Sequence, residues 1–386
     1  MKELNFKQKI YNTTIEMPSL TFRQNEKIAL PTHIKANYTD GSTQSLPVIW
    51  IEEELKTVGH EKGEYTVSGK VCACEYTNPF IEQRADPYAF KGPDGYYYFT
   101  ASYPAFQNVD SGYDRIILRR SATVKGLAAA EETTIWKAHE NGNMAKHIWA
   151  PEIHYIKNKW YVFFAAGDKE NVWNIRPYVL MCEDKDPVNG KWTECGIMKG
   201  IDGDSKSFHS FSLDMTYFEN NGIHYLIWAE KEEDSSLFMA TINPEKPWQL
   251  TCKPILLTKP QYEWEKIRFK VNEGASVLKT SDKVFVFFSA SGTGPEYCIG
   301  VIYADKESDL MDINSWYKIT YPVLQTEDLT NETGPGHNSF VEDENGNLLL
   351  VYHARPTSHF TKECGCYCDE MPVSYTHLTL PTMAVV

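Results

Sequence analysis

The chain reads as an all-β protein, a propeller of five blades preceded by a smaller β module. Three features predict this. First, five apolar strands each end in a small residue: Tyr96-Tyr-Tyr-Phe-Thr-Ala101, Trp160-Tyr-Val-Phe-Phe-Ala-Ala166, His224-Tyr-Leu-Ile-Trp-Ala229, Val284-Phe-Val-Phe-Phe-Ser-Ala290 and Leu348-Leu-Leu-Val-Tyr-His-Ala354. Their closing alanines recur at intervals of 61 to 65 residues, and β-type repeats of this size are the signature of a propeller. Second, an ionisable residue stands about fifteen positions ahead of each strand end: Asp86, Glu152, Asp214, Glu273 and His337. A group at the same point of every blade faces the central axis, and four carboxylates with a histidine gathered there form an active-site layout. Third, few segments sustain a helical period, so helix is expected only as short turns.

Taken in order, the N-terminal Met-Lys-Glu-Leu-Asn-Phe-Lys-Gln-Lys-Ile has no apolar signal core, which implies a cytoplasmic protein, or a secreted one if the natural start lies upstream. Residues 1–76 form the N-terminal segment and β module, with β character from about Pro18 to Tyr76. A hairpin turn is expected at Asp40-Gly41, and short alternating strands at Val48-Ile-Trp50 and over Glu64-Tyr-Thr-Val-Ser-Gly-Lys-Val71. Tyr38-x-Asp40-Gly-Ser, Pro47-Val-x-Trp50 and Gly63-x-Tyr-Thr-Val-x-Gly69 resemble the small bacterial Ig-like domains found beside secreted carbohydrate enzymes. The resemblance implies a β-sandwich with a spacer or stabilising role. The propeller occupies 77–372. Its blades are separated by turn residues that tolerate positive φ, as in Pro93-Asp-Gly, Glu219-Asn-Asn-Gly and Glu344-Asn-Gly-Asn. Residues 373–386 do not continue the pattern and resemble translated adapter sequence, so the fifth blade is expected to be incomplete.

Composition narrows the function. The 386 residues carry a net charge of −14 with no run of Lys or Arg, which argues against nucleic acid and anionic membranes as partners. No stretch is long and apolar enough to span a bilayer as a helix. Aromatics make up 13% of the chain, which suits β structure and also suits sugars, which stack on flat rings. Nine scattered cysteines, an odd number, favour reduced thiols over a disulfide framework. Cys364, Cys366 and Cys368 are spaced too tightly for a zinc knuckle.

Three acids from different blades, Asp86, Asp214 and Glu273, suit glycoside hydrolysis, which needs one carboxylate to take a proton and one carboxylic acid to give one. Inverting enzymes hold that pair about 6.5–9.5 Å apart to leave room for water, and facing blades can supply such a gap. A third carboxylate beside the acid raises its pKa by like-charge repulsion.

At blade spacing and in order stand Ala85-Asp-Pro-Tyr88, Trp149-Ala-Pro-Glu-Ile-His154, Ser212-Leu-Asp-Met215, Asn272-Glu-Gly-Ala275 and Gly334-Pro-Gly-His-Asn-Ser339. Together they resemble glycoside hydrolase family 43, the five-bladed inverting arabinofuranosidases, xylosidases and arabinanases, over roughly Asn78 to Arg355. The resemblance implies Asp86 as general base, Glu273 as general acid and Asp214 as the residue that raises the acid's pKa and orients it. It places His337 at the propeller centre, beside a bound calcium in many members, where water would supply most of the six to eight ligands. Trp149 is a candidate sugar platform or a core ring. Glu152 is a candidate substrate contact or a structural acid orienting His154. Arg115 and Arg355 bind hydroxyls or pair with carboxylates. No organic cofactor is implied.

Glu82-Gln-Arg-Ala-Asp-Pro-Tyr, Tyr113-Asp-Arg-Ile and Phe269-Lys-Val-Asn-Glu-Gly look most like the arabinofuranosidase branch. That implies terminal α-L-arabinofuranosyl units of arabinan or arabinoxylan as substrate. β-Xylosidase, endo-arabinanase and a non-catalytic glycan-binding propeller remain the alternatives.

Overall fold

The computed structural model describes residues 12–15, 18–23, 28–38, 43–56, 58, 62–71, 76, 78–104, 112–329, 332–356 and 375–379, with single-residue gaps inside none of the propeller strands. The chain divides into two units, one over Met1–Thr77 with Leu378–Val386 and one over Asn78–His377. The Asp40-Gly41 turn, the cysteines at 364, 366 and 368 and the first ten residues lie outside the described residues. So does the rest of the tail around 375–379. Among the described residues no helix is long and apolar enough to cross a membrane.

In the first unit β1 (Asn12–Ile15), β2 (His33–Tyr38), β3 (Thr43–Trp50) and β4 (Gly69–Val71) form one antiparallel sheet in that order. Strand β3 changes partner midway. Thr43–Pro47 pair with β2, while Val48–Trp50 pair with β4. The switch falls at Pro47, whose missing N–H cannot continue a ladder. The expected strand over 64–71 shrinks to β4, and a second sandwich layer is not seen among the described residues. Trp50 is tied down by its Nε1–H, which donates to the Pro31 carbonyl at 2.8 Å.

The second unit is a β-propeller. Its first sheet is β5 (Ala85–Lys91), β6 (Tyr97–Ser102), β7 (Arg115–Ser121) and β8 (Thr133–Lys137). The next is β9 (Lys146–Ile156), β10 (Lys159–Gly167), β11 (Arg176–Cys182) and β12 (Trp192–Ile197). A third holds β13 (Ser212–Asn220), β14 (Ile223–Lys231), β15 (Ser235–Asn243) and β16 (Lys246–Leu250), with β17 (Ile255–Thr258) also paired to β15. A fourth holds β18 (Asn272–Lys279), β19 (Lys283–Ala290), β20 (Cys298–Asp305) and β21 (Trp316–Lys318). These are four complete blades, where five were expected. The remaining sheet has only β22 (Glu332–Glu342), β23 (Leu348–Pro356) and the short β24 (Tyr375–Thr379), the last from the segment read as foreign. Among the described residues helix is confined to the four-residue turn Glu52–Leu55 and short 3-10 turns.

The five strands that carry the sequence period are β6, β10, β14, β19 and β23, the second strand of each sheet. The five ionisable residues all lie on the first strands. Second strands are continuous apolar runs because both of their faces are covered, as alternation of side chains across a strand requires. Phe164 enters the seam with the first blade, among Tyr98, Ile116 and Leu118. Phe163, its neighbour, enters the opposite seam with Met215, Leu226 and Trp228. The next seam is filled by Ile227, Leu237 and Met239 against Val284, Val286 and Phe288. The closing alanines Ala101, Ala166, Ala229, Ala290 and Ala354 are all fully buried. Four described cysteines, Cys182, Cys195, Cys252 and Cys298, are free thiols.

The seams rather than any one sheet hold the ring together. Phe164→Ala removes a fully buried ring and is expected to cost about 3–5 kcal/mol. Denaturant unfolding checks this, and a loss below about 1 kcal/mol would contradict the seam's role.

Candidate active site at the propeller axis

The first strands neighbour one another in turn, β5 with β9, β9 with β13, β13 with β18, β18 with β22, and β22 with β5. Each carries a break in its pairing with the second strand. The register slips between Ala85 and Tyr88, between Trp149 and Glu152, between Leu213 and Thr216, between Glu273 and Ser276, and between Gly336 and Ser339. Within each break one residue adopts left-handed backbone: Asp86 (φ 51°), Ala150 (46°), Asp214 (54°), Gly274 (56°) and His337 (43°). Bulges of this kind re-aim a side chain, and here they mark the equivalent point of each sheet.

This refines the expectation that the five ionisable residues are equivalent. Asp86, Asp214 and His337 are. Ala150 takes the place in the second blade, with Glu152 two residues beyond it, and Gly274 takes it in the fourth, with Glu273 one residue before. Glycine suits that point, because a Cβ there would be left-handed and 3.2 Å from the His337 ring.

The structure brings Asp86, Asp214, Glu273 and His337 together. His337 Nδ1 lies 3.3 Å from Asp86 Oδ1 and 3.8 Å from Asp214 Oδ2. Asp86 Oδ2 accepts from the Ser102 hydroxyl at 2.5 Å, and Ser102 Oγ accepts the Ala150 N–H at 2.7 Å. The Asp86 N–H donates to His353 Nδ1 at 3.1 Å. That nitrogen also lies 3.4 Å from Asp86 Oδ1, and burial is the largest cause acting on the His353 pKa, which is lowered. Asp214 Oδ2 accepts the Gly274 N–H at 2.9 Å, and Glu273 Oε1 accepts the Tyr297 hydroxyl at 2.9 Å.

These surroundings split the acids. Burial by itself would raise Asp86, but His337, His353 and Ser102 outweigh it and hold the carboxyl well below the usual range. Burial, then the charge of Asp86, pushes Asp214 up to about 8. Burial, then the charge of Asp214, pushes Glu273 up to about 8 against the opposing Tyr297 bond. Burial is thus a larger cause for Glu273 than the like-charge repulsion expected from sequence.

The other expected site residues divide. Arg355 is 4% exposed, donates to the Thr293 carbonyl, and acts electrostatically on Tyr113 and Asp86. Trp149 stands beside Ala150 and packs edge-on against Tyr113 at 6.0 Å. Glu152 and Arg115 have partners within the protein. Glu152 is buried with its Oε2 2.9 Å from His154 Nε2. Burial raises its pKa well above the usual range and lowers that of His154 to about 3. Both shifts favour the uncharged form of each group. Arg115 pairs with Asp114 at 2.7 Å and lies over the Tyr103 ring at 4.5 Å.

Sequence reasoning missed Ser102, Tyr297, His353 and Trp173. His353 lies within a strand read only for its period, and Ser102 follows one of the closing alanines. Trp173, 56% exposed, extends an aromatic row from Trp149 through His147. Tyr113 Oη, Trp149 Nε1 and His353 Nε2 are buried polar atoms with no hydrogen-bond partner among the described residues. A surface cavity of about 400 Å³ lined by Arg176, Met198, Lys199, Phe208 and His209 contains no acid and lies off the axis. Among the described residues no three potential ligand side chains are grouped to hold a metal. His337 alone does not furnish a calcium shell, which takes six to eight oxygens.

Residues 8–72 match the bacterial Ig-like domain (group 4), and residues 76–368 match the glycosyl hydrolases family 43. The chain is 46% identical over 285 residues to an extracellular exo-alpha-(1->5)-L-arabinofuranosidase of Streptomyces avermitilis, covering 72% of this chain and 56% of that protein. It is 45% identical over 285 residues to a protein of the same description from Streptomyces chartreusis, covering 72% of this chain and 82% of the relative. The chain thus spans little more than half the length of the first of these. The crystal structure of an alpha-L-arabinofuranosidase from Lactobacillus brevis superposes with a TM-score of 0.70 at 39% identity, covering 79% of this chain and 92% of the other. With most of its length matched and its axial acids in place, the chain belongs to glycosyl hydrolase family 43.

Proposed function

We propose that the protein is an inverting α-L-arabinofuranosidase that removes terminal arabinofuranosyl units from arabinan or arabinoxylan oligosaccharides. The observation that carries this is the split between Asp86, held ionised, and Glu273, held protonated, at one axis. Two carboxyls pushed apart in this way supply a base and an acid at the same pH. Asp86 takes the proton of a water that attacks the anomeric carbon. Glu273 gives its proton to the departing glycosidic oxygen. Burial does most to keep that proton on Glu273, and Asp214, fixed by the Gly274 N–H, adds to it. Tyr113 Oη, Trp149 Nε1 and His353 Nε2, buried without partners among the described residues, are suited to sugar hydroxyls. The likeness to arabinofuranosidases at 39–46% identity favours arabinose over xylose. No step runs through a cation, since an axial calcium would take nearly all its ligands from water. We also infer that β22 and β23, which stand between β18 and β5, are the inner strands of a fifth blade.

Asp86→Asn and Glu273→Gln are each expected to lower kcat/KM on an aryl or oligomeric arabinofuranoside by about 10²–10⁴-fold with the fold retained. A xyloside assayed alongside tests the choice of sugar, and near-wild-type rates in either variant would refute the role given to that residue. Proton NMR of the first product should show the β anomer, the inverse of the substrate; a first-formed α anomer would exclude inversion.

The pKa shifts also set a stability trend. A glutamate raised from 4.5 to about 8 in the fold binds a proton that the unfolded chain has released. Its contribution to stability therefore falls as pH rises across that window. Asp86, shifted down, contributes stability above the ordinary aspartate range and loses it on acidification. Glu273→Gln should melt at a higher temperature than wild type at the upper end of the window, with the gap closing toward the lower end. A gap that does not change with pH would contradict the shift.

A further inference from the structure

We propose that Tyr297 positions the acid Glu273 as the end of a one-way hydrogen-bond chain that starts at the His337 backbone and passes through Ser289, and that Gly336 lacks a side chain so that the Tyr297 ring can reach this place. The inference rests on reading Glu273 as the proton donor.

Direction is fixed at the start of the chain. The His337 N–H can only donate, and it donates to Ser289 Oγ at 2.7 Å. With that oxygen accepting, the single Ser289 proton is free to bond Tyr297, its partner on the other side. Tyr297 Oη thus receives a proton from Ser289 and must place its own, and Glu273 Oε1 lies 2.9 Å away. Tyr297 is 2% exposed, so water does not compete for the bond. Burial, with Glu273 and Asp214 nearby, also keeps the phenol protonated. Glu273 Oε1 is therefore the acceptor, and the proton that the acid delivers resides on Oε2. The chain selects which carboxyl oxygen is reactive.

The phenol ring is held on two sides. It stacks on His353 with centroids 5.6 Å apart and planes 20° from parallel. On another side a Cβ built on Gly336 would fall 2.0 Å from Tyr297 Cε1 and 2.2 Å from Cδ1, so any side chain there must displace the ring. Ser289 stands directly opposite Glu273 in the β18–β19 pairing, which closes the path. The position is therefore built by β18, β19, β22 and β23 together.

Substrates that differ in leaving group separate positioning of the acid from general damage. A dinitrophenyl arabinofuranoside departs without protonation, whereas an alkyl arabinofuranoside or arabinobiose needs the acid. Tyr297→Phe is expected to lower kcat/KM on the alkyl substrate by about 10–10³-fold while leaving the dinitrophenyl substrate within about threefold of wild type. The alkaline limb of its pH profile should move upward, because the lost bond favoured the Glu273 carboxylate. Ser289→Ala should show the same signature more weakly, and Gly336→Ala should reproduce it where the variant folds. Equal losses on both substrates with an unmoved limb would make Tyr297 merely structural and overturn the proposal. Wild-type protein that cleaves neither substrate would instead remove the functional reading, and this proposal with it.

Discussion

The axis depends on a one-residue misfit in the innermost strand of each sheet. A regular strand sends successive side chains into the two seams that flank it, where apolar groups belong. A bulge with one left-handed residue breaks that alternation and turns a side chain out of the seam. Asp86, Asp214 and His337 occupy the misfit in three sheets, Ala150 and Gly274 in the other two. Left-handed backbone in a residue with a side chain costs about 1–3 kcal/mol, although Asp and His bear it better than most. Four such residues persist because the seams on both sides fix the strand ends. Rings such as Phe163, Phe164 and Trp228 are fully buried in those seams, each burial contributing about 1.5–3 kcal/mol.

The misfit also explains why three nearby acids differ so much. Turning the backbone exposes N–H groups as well as side chains, and the donors around each acid are unequal. Asp86 has a hydroxyl and the flanking imidazoles of His337 and His353. Asp214 has one backbone N–H and Glu273 one phenol. Burial disfavours charge on all three, but only Asp86 has enough opposing interactions to stay ionised far below neutrality. Asp214 is raised further by the charge of Asp86, and Glu273 by that of Asp214.

Much of this was legible in the sequence. The period of closing alanines located every second strand, because those strands are buried on both faces and read as unbroken apolar runs. Asp86, Asp214 and Glu273 stood in short motifs ahead of them. What the period could not give was phase. Glu152 and Glu273 sit at nearly the same offset as the true equivalents, yet a shift of one or two residues moves a residue off the single position that the bulge re-aims. Glu152 consequently bonds His154 in a seam. Ser102, Ser289 and Tyr297 belong to strands or turns that follow their blade's acid and act through the fold, so no local pattern marks them. The number of complete blades was also beyond the period, since β22 and β23 satisfy it whatever stands outside them.

Closure of the ring and ionisation of Asp86 are the same set of bonds. The sheet with the fewest strands supplies His337 from β22 and both His353 and Arg355 from β23. Between β22 and β5 the Ser339 hydroxyl donates to the Pro87 carbonyl at 2.9 Å and accepts the Ala89 N–H at 3.3 Å. One residue further along, the Asp86 N–H reaches His353. These bonds join the last sheet to the first without exchanging a strand, so side chains and backbone of β5 do the work that a shared ladder would do elsewhere. Loosening this seam would separate His337 and His353 from Asp86 and let its pKa rise toward the value burial alone would set. A propeller closed in this way ties the charge of its base to the integrity of its ring, and the acid is positioned through a separate chain of bonds anchored on the same strand, β22.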